Sequence, residues 1–350
     1  MAKIKAAVTA PIVEKYLKEM EQYCDIKLGG YAVNGVYMPE DELIGFLEGS
    51  EVLVVEFEDV TRRIIENSRS LRLIVCVRGN PVNVDTEAAE ERGIPVVYTP
   101  GRNANSVAEY IVSSMISVSR HLGRANHEIK NGRYVDEETE DVFKCAEDDD
   151  VLWLMNARDS PYREYRGIEI TGRVLGFVGF GAVGIRTVEL LSGFDMQFIA
   201  CDPYCPPETA AKYGVELLAM NEVFERGEFI ALCCKVTSET IGMIGSEQFS
   251  RMRKDAYFIN TARGSIVRQK DLVEALEQKK FAGAVLDVFW REPPPKNHPL
   301  LKMPNVLITP HIAGASSDVT VRQSRMAAED LSNYAQGRPL LRVFKRRQLR

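Results

Sequence analysis

The chain has 350 residues, 45% hydrophobic and 27% charged, enough for two domains of ordinary size with a core each, which excludes disorder over most of its length. Its 44 Lys and Arg against 50 Asp and Glu leave a formal charge of -6, so no global basic field is offered to nucleic acid or to an anionic membrane. The apolar run before Pro11 is too short for a signal peptide, and no stretch reaches the roughly 20 apolar residues of a membrane span, so a soluble cytoplasmic protein is expected.

The first hundred residues alternate strand-like and helix-like runs. Ile4 to Val8, Asp25 to Leu28, Val52 to Val55, Leu71 to Val77 and Pro95 to Tyr98 read as strands. Pro11 to Gln22, Pro39 to Leu47, Val60 to Asn67 and Val84 to Arg92 read as the helices between them. Short connections in such an alternation predict a parallel sheet covered by helices on both faces. After Thr99-Pro100-Gly101, Val107 to His121 predicts one long helix packed on more than one side, as core or as a dimer contact. An irregular stretch follows, roughly Tyr134 to Arg166, in which an acidic run sits beside Val151-Leu152-Trp153-Leu154-Met155. From Arg173 the strand and helix rhythm resumes, through Val174 to Val178, Gln197 to Cys201, Phe229 to Cys234, Ala256 to Ile259, Gly283 to Val288 and Val306 to Thr309. A last helix, Val319 to Gln336, precedes a basic end.

The seven cysteines are scattered and form no CxxC pair, which predicts reduced structural thiols. With only four histidines, a His-built zinc site is not expected, so no metal is assigned and the candidate acid-base groups are few.

The strand Val174 to Val178 runs directly into Gly179-Phe180-Gly181-Ala182-Val183-Gly184, which opens a helical run. Gly179 allows the tight turn, Gly181 lets backbone approach a pyrophosphate, and Gly184 permits close packing of helix on strand, while the N–H groups at Ala182 and Val183 face the phosphates. Asp202 ends the next strand, where a carboxylate accepts hydrogen bonds from both ribose hydroxyls. No Arg follows in Pro203-Tyr204-Cys205-Pro206 to neutralise a 2′-phosphate, so NAD is favoured over NADP.

Three further strands end in polar turns: Phe258-Ile259-Asn260-Thr261-Ala262-Arg263-Gly264, Ala284 to Phe289 leading to Glu292-Pro293, and Leu307-Ile308-Thr309-Pro310-His311. Ligands bind at the carboxyl ends of strands in an open α/β sheet, so Arg263, Asp287, Glu292 and His311 are expected to converge. Together with GFGAVG, TPGRNANSVAEY and INTARGSIV, these segments resemble the D-isomer-specific 2-hydroxyacid dehydrogenases, most closely the phosphoglycerate dehydrogenase-like branch, over nearly the whole chain.

The resemblance implies an α/β protein of two doubly wound, Rossmann or flavodoxin-like parallel-sheet domains. The substrate domain would comprise residues 1–104 and 318–350, and the NAD domain, residues 105–317, would be inserted into it. It implies an oxidoreductase that interconverts a D-2-hydroxy acid and its 2-oxo acid by hydride transfer, in a cleft between the domains of a homodimer. Arg263 matches the arginine that grips the substrate carboxylate, and His311 the acid-base. Glu292 matches the carboxylate that pairs with that imidazole. Asp287 matches the residue that recognises the nicotinamide carboxamide, and Ala262 lies in the cofactor-binding turn.

Two places depart from the family pattern. The loop expected to cradle the substrate carboxylate reads Cys76-Val77-Arg78-Gly79-Asn80-Pro81, with one Gly and a Pro. Arg78 and Asn80 either add a cation and an amide to that cradle beside Gly79, suiting an acidic, polyhydroxylated or phosphorylated substrate, or serve the turn and the surface. The preceding strand ends in Glu56-Phe57-Glu58-Asp59, where Glu56 either reads a hydroxyl of a sugar-acid-like substrate or sits in a solvated acidic turn. The 134–166 stretch is longer than its counterparts, and Trp153, Leu154 and Met155 would cover a dimer surface or lean over the neighbouring cleft. No C-terminal regulatory domain is expected after the last helix. A second class stays open, an NAD-sensing corepressor-like interaction protein of the same fold, since such relatives keep the Arg-Glu-His set. The acidic charge and the lack of a disordered tail lean toward the enzyme.

Overall fold

Runs such as Val52–Val55 and Leu73–Cys76 are apolar at every position, which suits a strand covered on both faces. The computed structural model describes residues 3–135 and 160–345 and divides into two compact units. One runs up to Asn103 and resumes at Ala315; the other, Ala104–Gly314, is inserted between those parts. The division falls one residue before the first boundary expected from sequence and three before the second, because Ala104 already belongs to a helix of the inserted unit and Ser316 caps the returning one.

The first unit holds a five-stranded parallel sheet of β1 (Ile4–Val8), β2 (Cys24–Leu28), β3 (Val52–Val55), β4 (Leu73–Cys76) and β5 (Val96–Tyr98), in the order β2-β1-β3-β4-β5. Alternate residues feed opposite faces, as the period of two requires. Leu53, Val55, Ile74 and Cys76 pack with Leu43, Ile64, Ile65 and Ala88, whereas Val52, Val54, Leu73 and Val75 pack with Met20, Ala327 and Leu331. The last two come from the helix Ser317–Ala335, so the returning chain completes this core.

The inserted unit holds seven parallel strands: β6 (Val174–Val178), β7 (Gln197–Cys201), β8 (Val215–Leu217), β9 (Phe229–Leu232), β10 (Tyr257–Asn260), β11 (Gly283–Leu286) and β12 (Val306–Ile308). Their order, β12-β11-β10-β9-β6-β7-β8, reverses between β6 and β9. On one face Leu175, Phe177, Phe229 and Val285 pack with Ile111 and Met115; on the other Ile230, Phe258, Ala284 and Leu286 pack with Phe224, Phe249 and Leu272.

Three differences from the sequence reading stand out. The long helix expected over Val107 to His121 is Ala104–Ser119, and a second helix, Leu122–Lys130, follows it unforeseen, set off at His121, whose φ of 55° cannot continue a right-handed helix. β8 and the helices Tyr31–Asn34, Pro207–Lys212, Met220–Arg226 and Ser246–Arg251 were not foreseen, being too short to show a period. Of the irregular stretch, residues 136–159, with Trp153, Leu154 and Met155, lie outside the described residues; a short helix, Pro161–Glu164, occupies part of the rest.

Phe258 is fully buried between the rings of Phe224 and Phe249. Phe258→Ala should therefore cost about 3–5 kcal/mol, read from urea unfolding; a loss below 1 kcal/mol would show that this face is not close-packed.

Candidate active site

Strand order reverses at β6 and β9, so the connections leaving these two strands diverge and open a crevice at their carboxyl ends. The turn Gly179 to Gly184 lies there. Gly179 has φ 88°, and a Cβ on it would come within 2.7 Å of the Cys234 backbone, just past β9. Gly181 is different: nothing lies within 4 Å of the place its Cβ would take, so its backbone is open to a ligand. Gly181 begins the helix Ala182–Leu190 without a side-chain cap, which leaves the N–H groups of Ala182, Val183 and Gly184 free of intrahelical partners at the positive end of the dipole. Asp202, just past β7, accepts from Phe180 N and Tyr204 N at 2.8 Å each. A carboxylate takes about four donors, so two positions remain for ribose hydroxyls. This donor and acceptor set fits NAD.

Three more strand ends of the same sheet carry polar groups, after β10, β11 and β12. Asn260, buried at the end of β10, fastens the next turn by accepting from Ala262 N at 3.0 Å and donating to Arg263 O at 3.1 Å. Arg263 emerges exposed from that turn, with Nη1 2.6 Å from Ala262 O. Gly264 follows because a Cβ there would come within 2.6 Å of the Phe289 and Trp290 backbone. Past β11, Glu292 Oε1 accepts from Phe289 N at 3.0 Å and Oε2 lies 2.7 Å from His311 Nδ1. Burial pushes the Glu292 carboxyl up, but the His311 bond, the Phe289 N–H and the nearby charges of His311 and Arg263 outweigh it and hold the group below the usual carboxylate range. An ionised carboxylate only accepts, so Nδ1 carries a proton and Nε2 is the ring atom left for a substrate. Asp287, Glu292, Thr309 and His311 share the lining of a concavity of about 330 Å³ with Phe289 and Ile308.

Asp287 is almost fully buried, and three donors meet its carboxylate: Thr309 Oγ1 at 2.6 Å and Ile312 N at 2.8 Å on Oδ1, and Ala313 N at 2.8 Å on Oδ2. Its carbonyl accepts from His311 N at 2.8 Å. The first duty of Asp287 is thus to shape the loop that carries His311, which leaves about one acceptor position for a ligand. His298, read as structural, is buried and uses Nδ1 to accept from Leu300 N at the start of the turn Pro299–Lys302.

In the first unit, Arg78, Gly79 and Asn80 lie just past β4, the first two half-buried and Asn80 exposed. Asn83 pins this loop by donating to Glu58 O at 2.7 Å and Glu56 O at 3.2 Å. Glu56 corrects both readings offered for it. It is only 4% exposed, so it is no solvated turn, and its oxygens are engaged by Arg102 Nη1 at 2.5 Å and Gln323 Nε2 at 2.9 Å, so it is not a free reader of hydroxyls. Arg102 also bonds Gln323 Oε1. The sequence reading missed Arg102 and Gln323, whose partners are 46 and 267 residues from them in sequence. Among the described residues no group of three or more His, Cys, Asp or Glu is placed to hold a metal, and no helix is long and apolar enough to cross a membrane.

A glycine turn at a switch point, an acid on the neighbouring strand, and an Arg, a Glu–His pair and a buried Asp on the same sheet define an NAD-dependent oxidoreductase. Residues 112–313 match the D-isomer specific 2-hydroxyacid dehydrogenase, NAD binding domain family. The chain is 36% identical over 316 residues to YoaD of Bacillus subtilis (strain 168), described as a candidate 2-hydroxyacid dehydrogenase, covering 89% of this chain and 85% of that one. It is 30% identical to a glyoxylate reductase of Thermofilum pendens, covering 96% and 93%. A D-3-phosphoglycerate dehydrogenase of Methanocaldococcus jannaschii is 32% identical, with 95% of this chain matched to 58% of that one. Among solved structures, the TT0316 protein of Thermus thermophilus superposes with a TM-score of 0.78 at 26% identity, covering 98% of this chain and 100% of that one. The chain belongs to the D-isomer-specific 2-hydroxyacid dehydrogenase family. It is an NAD-dependent enzyme of that class, and the corepressor-like alternative is not favoured.

Asp202→Ala should weaken NADH about tenfold and narrow the preference over NADPH, since a charge-assisted acceptor and a repulsion are both removed. Unchanged KM values for both cofactors would place the ribose elsewhere.

Proposed function

We propose that Arg263, Glu292 and His311 carry the interconversion of a D-2-hydroxy acid and its 2-oxo acid. The observation that supports this most is the Glu292–His311 bond of 2.7 Å, whose carboxylate also feels the charge of Arg263. Held by the turn Gly179 to Gly184, Asp202 and Ala262, NAD supplies the acceptor for the hydride on C2. Arg263 binds the substrate carboxylate, a planar permanent cation against a planar anion. His311 Nε2 takes the C2 hydroxyl proton during oxidation and returns it to the carbonyl oxygen during reduction. Glu292 keeps the ring in the tautomer with Nδ1 protonated and stabilises the cation that forms. The remaining acceptor position of Asp287 is assigned to the nicotinamide carboxamide.

Substrate choice is assigned to Arg78, Gly79 and Asn80, whose cation and exposed amide suit an acidic substrate of the phosphoglycerate dehydrogenase-like or sugar-acid-like kind. A cytoplasmic homodimer without nucleic-acid or membrane partners completes this reading, in keeping with the acidic composition.

NADH consumption across glyoxylate, hydroxypyruvate, phosphohydroxypyruvate and longer 2-oxo sugar acids tests the substrate class. On the best of these, His311→Asn should lower kcat by about 10²–10⁴-fold while KM for NADH moves by less than about twofold. Full activity in that variant would remove the acid-base assignment. Glu292→Gln bears on pH. The depressed Glu292 carboxyl stays ionised through the ordinary carboxylate range, and its acceptance of the His311 Nδ1–H bond is lost only as pH falls through the lowered value. Glu292→Gln removes the ionised acceptor at His311 Nδ1, so kcat should fall about tenfold or more, and the acid limb that follows protonation of Glu292 should disappear from the profile. An unmoved profile would show that Glu292 does not act on His311.

A further inference from the structure

The Asp287 carboxylate is reached by a side chain from far away in the chain. Tyr110, on the helix Ala104–Ser119, places its hydroxyl 2.5 Å from Thr309 Oγ1, and Thr309 Oγ1 lies 2.6 Å from Asp287 Oδ1. The direction of this chain follows from proton inventory. A carboxylate has no proton to give, so the one hydroxyl proton of Thr309 goes to Asp287, and the Thr309 oxygen must accept from Tyr110. Burial pushes the Tyr110 phenol up, more than its bond to Thr309 lowers it, so the hydroxyl keeps its proton at working pH. Two donors in series polarise one another, and both terminate on the group that fixes Ile312, Ala313 and the His311 backbone.

This loop needs bracing. His311 has φ 58°, the left-handed region that a side chain disfavours, and it is held there by the bonds of its neighbours to Asp287. The helix bearing Tyr110 packs against β11 and along Ala182–Leu190, the helix that opens at the glycine turn. One helix thus touches both the helix that opens at the glycine turn and Thr309, two residues before His311.

We infer that Tyr110 is a positioning residue for His311, acting through the Thr309 hydroxyl on Asp287. The inference rests on the proposed role of His311, and nothing in the sequence pattern assigns Tyr110 or Thr309 to the site. Tyr110 reaches no reacting atom; it sets where His311 Nε2 stands.

The test is a double-mutant cycle on the intact enzyme with its best 2-oxo acid and NADH. Tyr110→Phe removes one oxygen and should lower kcat about tenfold, with KM for NADH within about twofold and an unfolding midpoint close to that of the parent. Thr309→Val should lower kcat at least as far, Thr309→Ser should recover most of it, and Tyr110→Phe should add less than about twofold in the Thr309→Val background. Thr309→Ala serves as the second background if the valine variant does not fold. Parental kcat in Tyr110→Phe, or losses that multiply in the double variant, would overturn the inference. His311→Asn in the same assay separates the two layers. If it stays fully active the acid-base assignment fails, whereas its collapse beside a fully active Tyr110→Phe removes only the role of Tyr110.

Discussion

A carboxylate can lie buried without a counter-charge only if donors surround it, and the site is arranged around one that meets this condition. Asp287 ends β11, and the loop after the neighbouring strand β12 folds back so that two of its N–H groups and one hydroxyl reach the two oxygens. The parallel register sets this up. Leu286 lies opposite Ile308, so the next residues of the two strands, Asp287 and Thr309, leave the sheet side by side. His311 comes two residues later, already turned by its left-handed backbone. The same strand exit supplies Glu292, so β11 provides both the group that orients the histidine ring and the group that shapes its loop.

The parts of this arrangement that the sequence reveals are local ones. A glycine turn between a buried strand and a helix has a fixed spacing, as has an acid at the end of the following strand, and Arg263, Glu292 and His311 each stand in a short turn after an apolar run. What it conceals depends on contacts across the sheet. Tyr110 and Thr309 are 199 residues apart, and Tyr110 stands in a helix where an aromatic residue is as readily explained by packing. Asn260 was visible only as part of a motif, because its work, clamping the Arg263 turn through its own side chain, shows no periodicity. The helix Leu122–Lys130, which restarts after the left-handed His121, was missed because its residues are mostly polar and it buries none of them.

Both sheets follow the same rule at their carboxyl edges. The seven-stranded sheet reverses order at β6 and β9, and the five-stranded one at β1 and β3. Past β1, Thr9 donates to Glu58 at 2.9 Å, and the same carboxylate accepts from Tyr31 N at 3.1 Å. Polar groups can be buried at such an edge because the strands have ended and their last N–H and C=O groups no longer pair across the sheet. An apolar lining would leave those groups unsatisfied. The strand ends are therefore where a parallel-sheet protein can place charges at least cost, and where its function collects.

Glu56 shows how far this reasoning extends in the first unit. A glutamate at the end of an apolar strand invites the reading of an acceptor for ligand hydroxyls, yet the structure commits its oxygens to Arg102 and Gln323. Burying such a pair gains little stability by itself, because the desolvation of two ions offsets most of their attraction. Its consequence is geometric. Arg102 belongs to the segment just before the inserted unit, and Gln323 to the helix that follows it, and Glu56 fastens both to the end of β3 while Arg322 Nε donates to Arg102 O at 2.7 Å. The two chain crossings are thereby tied to one strand of the sheet, so the point where the chain leaves the unit and the point where it returns are held by the same buried carboxylate.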